Sequence, residues 1–160
     1  MDTSSVIIGL SLFGLFFFPI IYALVKQHGI EKKKKSLLFT YAREHHLNLV
    51  ETESIGHVNL GLDAQAKKLI ILENKEKPEF EIIDLQQVGK VQITKQLLPG
   101  RSKKIKEKIL HLSLDLENKL DSKITAITFY DEDDEDPTDA EIRLHEAKKW
   151  DELLHKNLAF

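Results

Sequence analysis

The sequence predicts an N-terminal transmembrane helix followed by one α+β, mainly β domain with six to seven antiparallel strands and a C-terminal amphipathic helix. Three observations support this prediction. Residues 6–25 carry no charge, short alternating runs fill the middle of the chain, and apolar residues recur at helical spacing near its end. The chain is therefore divided into a membrane segment over 6–25, a basic linker over 26–35 and a domain over 36–160.

The uncharged stretch from Val6 to Val25 is as long as a membrane-spanning helix. At about 1.5 Å per residue, twenty helical residues span roughly 30 Å, the thickness of a bilayer's hydrocarbon core. A cleaved signal peptide is the alternative, but its apolar run is usually only about 7–15 residues long. Lysines follow the stretch, whereas the only charged side chain before it is that of Asp2. Because cytoplasmic flanks carry the excess of lysine, the sequence predicts a single-pass protein of the bacterial inner (plasma) membrane, with its N-terminus outside and its domain in the cytoplasm.

Composition limits the functional classes. The formal charge is −3 over 160 residues, so the chain as a whole has no electrostatic attraction for nucleic acid. The absence of cysteine excludes disulfides, thiolate zinc sites and a cysteine nucleophile. Residues 36–160 are enough for one domain with its own core, and too few for two.

Residues 36–47 have the apolar spacing of a short helix, which is predicted to begin the domain. Ser36 can cap it, and one side carries Leu37, Leu38, Tyr41 and Ala42. Four strands separated by polar turns come next. Their apolar residues alternate with polar ones over residues 57–62, 68–73, 80–84 and 88–95, which is typical of an antiparallel meander.

Two more strands and a helix complete the domain. In the fifth strand Leu110, Leu112, Leu114 and Leu116 face one way, and residues 123–130 form a sixth strand rich in β-branched and aromatic residues. A helix is predicted after Pro137, with Thr138 and Glu141 as its capping box. Its apolar stripe carries Trp150 and is expected to dock on the sheet.

An antiparallel meander closed by one C-terminal helix resembles the pleckstrin-homology-like (PH-like) barrel of bacterial proteins with an N-terminal transmembrane anchor. The resemblance covers residues 57–158 and rests on the runs 58–63, 67–72, 82–85 and 88–95. The family has seven strands, so either residues 48–55 supply one more or the run 86–96 splits near Gly89. The resemblance implies a domain that binds lipids, peptides or other proteins.

The resulting expectation is a membrane-anchored, non-catalytic binding or scaffolding protein. It would hold a PH-like domain near anionic lipid headgroups and present it to a protein or peptide partner. The candidate contacts are Lys32, Lys33, Lys34, Lys35, Leu97, Leu98, Arg101, Lys103, Lys104, Lys106 and Lys108. Clustered basic side chains attract anionic lipid or an acidic partner, and a solvated loop that protects a sheet edge is the alternative interpretation.

The acidic run over residues 131–136 has alternating carboxylates, as calcium loops do. It lacks the glycine of such a loop, and the twelfth position, which should be a glutamate, is Ile142. The run is therefore interpreted as a solvated loop, which could also pair with a basic loop of a neighbouring copy.

Catalytic chemistry has no motif in this sequence. There is no ordered Ser, His and Asp set and no phosphate-binding loop, and the adjacent His45 and His46 lack metal-ligand spacing. No catalytic residue, cofactor or metal is predicted. One alternative is an enzyme or ligand sensor with a site among His57, Asp84 and His111, which a buried carboxylate–histidine contact on one sheet face would favour. Another is a structural subunit that acts through its membrane helix.

Overall fold

A computed structural model of the chain describes residues 13, 15–22, 35–74, 78–98, 108–134 and 138–158. The chain forms two compact units, Met1–Leu37 and Leu38–Phe160. In the first unit, residues 13 and 15–22 are helical.

The N-terminal unit corrects the membrane prediction. A helix needs about 20 apolar residues to cross a bilayer. Throughout the described ranges, no helix is both long enough and apolar enough to span a membrane. The predicted transmembrane helix over 6–25 is therefore wrong, and so is the assignment to the inner membrane with an outer N-terminus and a cytoplasmic domain. The rest of that stretch lies outside the described residues.

Seven strands and a C-terminal helix make up most of the second unit. The strands are β1 (Glu51–Ile55), β2 (Val58–Asp63), β3 (Lys68–Asn74), β4 (Pro78–Asp84), β5 (Val88–Leu98), β6 (Lys108–Asn118) and β7 (Lys123–Asp131). Helix α1 spans residues 35–44, and helix α2 spans Ala140–Asn157. All strand pairs are antiparallel, in sheet A with the order β1–β2–β3–β4 and sheet B with the order β5–β6–β7.

The predicted closed PH-like barrel is wrong. Within the described strands, β1 to β4 pair only with one another, and β5 to β7 pair only with one another. A closed barrel needs a continuous ladder around its circumference, whereas here side chains and α2 fill the space between two open sheets. Alternation in a sequence shows which face of a strand is buried, but it does not show which edges pair.

Strand β3 lies between two hydrophobic cores. Leu69 and Ile71 face the main core, whereas Ile70 and Leu72 face a smaller cluster with Leu38 of α1. Successive side chains point to opposite faces of a strand, so these four residues are divided between the two cores. All four are buried. Helix α1 thus packs on the outer face of sheet A, and β3 is buried on both faces.

The main core lies between the two sheets and α2. Sheet B contributes Leu112, Leu114 and Leu116 from the face that alternation predicts, and α2 contributes Trp150 and Leu154. Each of these five side chains is at most 1% exposed. Since burial of a large apolar side chain is worth about 1.5–3 kcal/mol, this core holds sheet B and α2 together.

The start of α2 differs from the predicted capping box. The N-cap is Asp139, whose Oδ1 accepts a hydrogen bond from the backbone N–H of Glu141 at 2.7 Å. Thr138 instead accepts a hydrogen bond at 3.1 Å from Nη2 of Arg143. Arg143 is buried, and its Nη1 also donates a hydrogen bond to Oε2 of Glu146 at 2.7 Å. The aspartate is as good a cap as the threonine, so the sequence alone could not choose between them.

Candidate functional site

The described residues form a groove between sheet A and strand β7. Its volume is about 180 Å³. The lining residues come from β3, β4 and the beginning of β7: Ile71, Glu73, Glu79, Phe80, Glu81, Thr125 and Ala126. The groove therefore lies beside β4, which is an edge strand of sheet A.

The strand register places three carboxylates at this groove. Glu73 is directly opposite Glu79 in the β3–β4 pair, and Glu81 follows two residues after Glu79 on the same face of β4. Oε2 of Glu81 accepts a hydrogen bond at 3.1 Å from the hydroxyl of Thr125. Glu79 is exposed and has no hydrogen-bond or ion-pair partner among the described residues. No lysine, arginine or histidine belongs to the described lining.

Phe80 lies between Glu79 and Glu81 on β4, and its ring is on the opposite face of the strand, toward α1. Its ring stacks on Tyr41 of α1, with a centroid separation of 4.6 Å and an interplanar angle of 28°, and His45 lies 5.3 Å away. Phe80 is still 41% exposed. The stack fixes the ring against α1, on the face of sheet A opposite the carboxylates.

These residues can recognise a cation but do not resemble a reaction centre. Carboxylates and a hydroxyl are groups that bind positive charge. Within the described part of the chain, no three His, Asp or Glu side chains are close enough to share one metal ion. Glu79 and Glu81 follow each other along β4, and Glu73 is opposite Glu79 on β3.

The predicted basic contact residues are only partly within the described residues. Lys32, Lys33, Lys34, Arg101, Lys103, Lys104 and Lys106 lie outside them. Lys35 is exposed at the start of α1, and Leu97 and Leu98 are exposed at the end of β5. Lys108 begins β6 and forms an ion pair with Glu132, and this bond raises the pKa of Lys108.

Side chains of the acidic run over residues 131–136 contact basic and histidine side chains of the same chain. Besides the Glu132 pair, Nδ1 of His111 lies 3.0 Å from Asp131, and Nδ1 of His57 lies 3.9 Å from Asp134. The backbone N–H of Asp133, together with His111, lowers the pKa of Asp131. The described part of this run therefore has cationic or titratable partners inside the molecule, and pairing with another copy is not needed to explain it.

The alternative site among His57, Asp84 and His111 does not form as predicted. The carboxylates that face the two histidines are Asp134 and Asp131. Asp84 instead accepts a hydrogen bond from the backbone N–H of Gln86 in the turn after β4, at 2.9 Å. A carboxylate–histidine contact therefore exists, but it links the acidic run to the sheet and leaves out Asp84.

Sequence reasoning missed the groove. The one usable signal was the pair Glu79 and Glu81, two glutamates on the same face of a strand beside an exposed phenylalanine. Thr125 and Glu73 could not be added, because they come from other strands and only the three-dimensional arrangement brings them to β4.

Comparison of this chain with family models, with curated proteins and with solved structures gives no match. Its function is therefore argued from the geometry of the groove and the chemistry of the residues that line it.

Proposed function

We propose that the chain is a non-catalytic binding module whose partner is a protein or peptide, and that the partner occupies the groove beside β4. The observation that carries this proposal is the open groove of about 180 Å³ along an unpaired strand edge. An edge strand presents backbone N–H and C=O groups that a further extended segment can pair with.

The exposure of β4 supports this assignment. Its first four residues, from Pro78 to Glu81, are exposed, whereas β2 in the same sheet is buried along its whole length. The buried strands and α1 form a rigid base under the exposed edge. A site of this kind binds by shape and backbone pairing and needs no reactive group.

The order of elements supports a relation to PH-like domains, which bind proteins, peptides or lipids. Seven strands in chain order are followed by one C-terminal helix that packs on the main core. The relation is proposed without a closed barrel, since sheets A and B remain separate ladders. The fold class alone does not assign a ligand, so the groove determines the proposal.

Selection from a display library of random peptides against the full chain tests this function. We expect selected peptides to protect the backbone amides of β4 from hydrogen exchange. The substitution F80A, in the exposed half of β4, should weaken their binding, whereas L120A should not. Leu120 is a matched control because it is also a large exposed apolar side chain, 83% exposed in the turn before β7.

Two outcomes would refute the proposal. One is a library that yields no peptide with saturable binding to the full chain. The other is protection confined to a different surface, such as the outer face of sheet B around Thr94, with F80A and L120A behaving alike.

A further inference from the structure

We propose that the outer edge of strand β5 pairs with the same edge of a second copy of this chain, around a twofold axis beside Thr94. The resulting dimer would join two copies of sheet B into one continuous sheet of six strands. This inference concerns the edge of sheet B at β5, whereas the groove lies beside β4 of sheet A, so it does not rest on the proposed function.

Strand β5 is a long edge strand whose second half is exposed. It spans Val88–Leu98, and among the described strands it pairs with β6 alone. Residues 94–98 are all exposed, and Leu97 and Leu98 are 39% and 52% exposed. The edge of such a strand presents backbone N–H and C=O groups, and exposed apolar side chains on it favour pairing with another strand.

A twofold axis determines which residues of two β5 strands meet. In an antiparallel pair centred on Thr94, this residue lies opposite its own copy, and the pair covers residues 90–98. Strand β5 alternates regularly over this range. Its own extra residue is Gly89, before the range begins, and the second irregularity of the β5–β6 ladder adds Leu110 to β6 instead.

Charge does not oppose this register. The two charged residues of β5, Lys90 and Lys95, lie opposite Leu98 and Ile93 of the second copy, so no lysine faces another lysine. Like charges directly opposite each other would destabilise a strand pair. The aliphatic part of Lys90 can pack on the exposed Leu98 while its ammonium group stays in water.

Apolar and amide side chains also match across the axis. Leu97 lies opposite Val91, which belongs to the main core, so pairing removes part of an exposed leucine from water. Gln96 lies opposite Gln92, whose Nε2 donates a hydrogen bond to Glu117 at 3.1 Å. Oε1 of Gln92 can therefore accept a hydrogen bond from the amide of Gln96 in the second copy.

The other edge strands fit a second copy less well. Sheet A has glutamates two residues apart on both of its edges, Glu51 and Glu53 on β1 and Glu79 and Glu81 on β4. Twofold pairing about the centre of either strand places glutamates opposite each other. The remaining edge, β7, is joined to sheet A by the hydrogen bond from Thr125 to Glu81.

Sedimentation velocity of the full chain over a range of concentrations tests the dimer. We expect a concentration-dependent species with twice the 18.4 kDa mass of one chain. The variant L97K places a lysine opposite Val91 of the second copy and should weaken dimerisation about tenfold or more. The control L120K changes another exposed leucine, in the turn before β7, and should dimerise like the native chain.

Single cysteines test the register, because the native chain has none. In T94C the two thiols lie opposite each other across the axis, within the distance that a disulfide can bridge. In Q96C the two thiols are four residues apart along the pair, which corresponds to about 13 Å and is too far for a disulfide. Under mild oxidation we therefore expect T94C to form a covalent dimer and Q96C to stay uncrosslinked.

Several results would overturn the inference. One is a native chain that stays monomeric at its highest soluble concentration. Others are an association that L97K and L120K weaken equally, or not at all, and cross-linking that is equal in T94C and Q96C. The cysteine variants keep Leu97 in place, so they test the pairing even if L97K does not fold. Peptide selection at β4 would still test the proposed function by itself.

Discussion

The indole N–H of Trp150 donates a hydrogen bond to Oε2 of Glu53 at 2.8 Å and joins helix α2 to strand β1, 97 residues earlier in the chain. The same oxygen accepts a hydrogen bond at 2.8 Å from Nζ of Lys149. This bond to Glu53 raises the pKa of Lys149. One carboxylate therefore fixes the C-terminal helix to the first strand of sheet A.

Removal of this carboxylate should destabilise the chain. In E53A the N–H of the buried Trp150 loses its acceptor, and an unsatisfied buried donor costs about 1–3 kcal/mol. Urea unfolding of E53A measures the loss, with E51A as the control because Glu51 is exposed on the same strand. Equal midpoints for the two variants would show that the hydrogen bond has no weight in folding.

Asp63 should make stability depend on pH. Burial by itself raises the pKa of this carboxyl, but backbone N–H groups of Ala66, Asn48 and Gln65, at 2.8, 2.7 and 3.0 Å, together lower it below its ordinary value of 3.8. Because the pKa of Asp63 is lower in the folded than in the unfolded chain, its ionised carboxylate stabilises the fold at pH values above its ordinary pKa. This contribution is lost as the pH falls through the folded pKa.

The variant D63N checks this linkage. At pH 7 we expect it to be about 1–3 kcal/mol less stable than the native chain, because hydrogen bonds to a buried charge are replaced by weaker ones. The difference should shrink as the pH approaches the folded pKa, in urea unfolding measured between neutral pH and about pH 3. A difference that stays constant over this range would rule out ionised Asp63 as the stabilising species.

Local patterns predicted the strands, because each hairpin is encoded by neighbouring residues. The alternation of Leu112, Leu114 and Leu116 placed β6 and its buried face correctly. The seventh strand, β1, lies within the run 48–55, and β5 is one strand with a register shift at Gly89. These features depend on side-chain periodicity, which a sequence shows directly.

Features that depend on distant partners could not be predicted. The consecutive buried residues from Leu69 to Leu72 show that β3 is buried on both faces, but they do not show that α1 covers one of them. The candidate site could not be predicted for the same reason. Glu81 and Thr125 are 44 residues apart, so no local pattern places them together. Sheet closure and groove composition are both set by the packing of sheet A against sheet B.

Two glycines offer a comparison of steric tolerance. A Cβ at Gly61 would lie 2.7 Å from Cδ1 of Leu49 and 2.9 Å from Cγ2 of Ile70, both at the ends of side chains. At Gly89 it would lie 2.8 Å from Cα of Lys119 and 3.0 Å from the carbonyl oxygen of Asn118, which are backbone atoms of the β6–β7 turn. Side-chain ends can move to relieve the contact, whereas this backbone is held by its own turn.

We therefore expect G89A to be more destabilising than G61A. Overpacking at Gly61 should cost about 1–3 kcal/mol, because Leu49 must leave its place in the smaller core. At Gly89 the strand and the turn must separate, which also disturbs the register shift between Val88 and Lys90 that the glycine allows. Urea unfolding of the two variants side by side gives the order. If G61A proved the more destabilising, the β6–β7 turn would be the more adaptable element and the packing of Leu49 on sheet A the more rigid one.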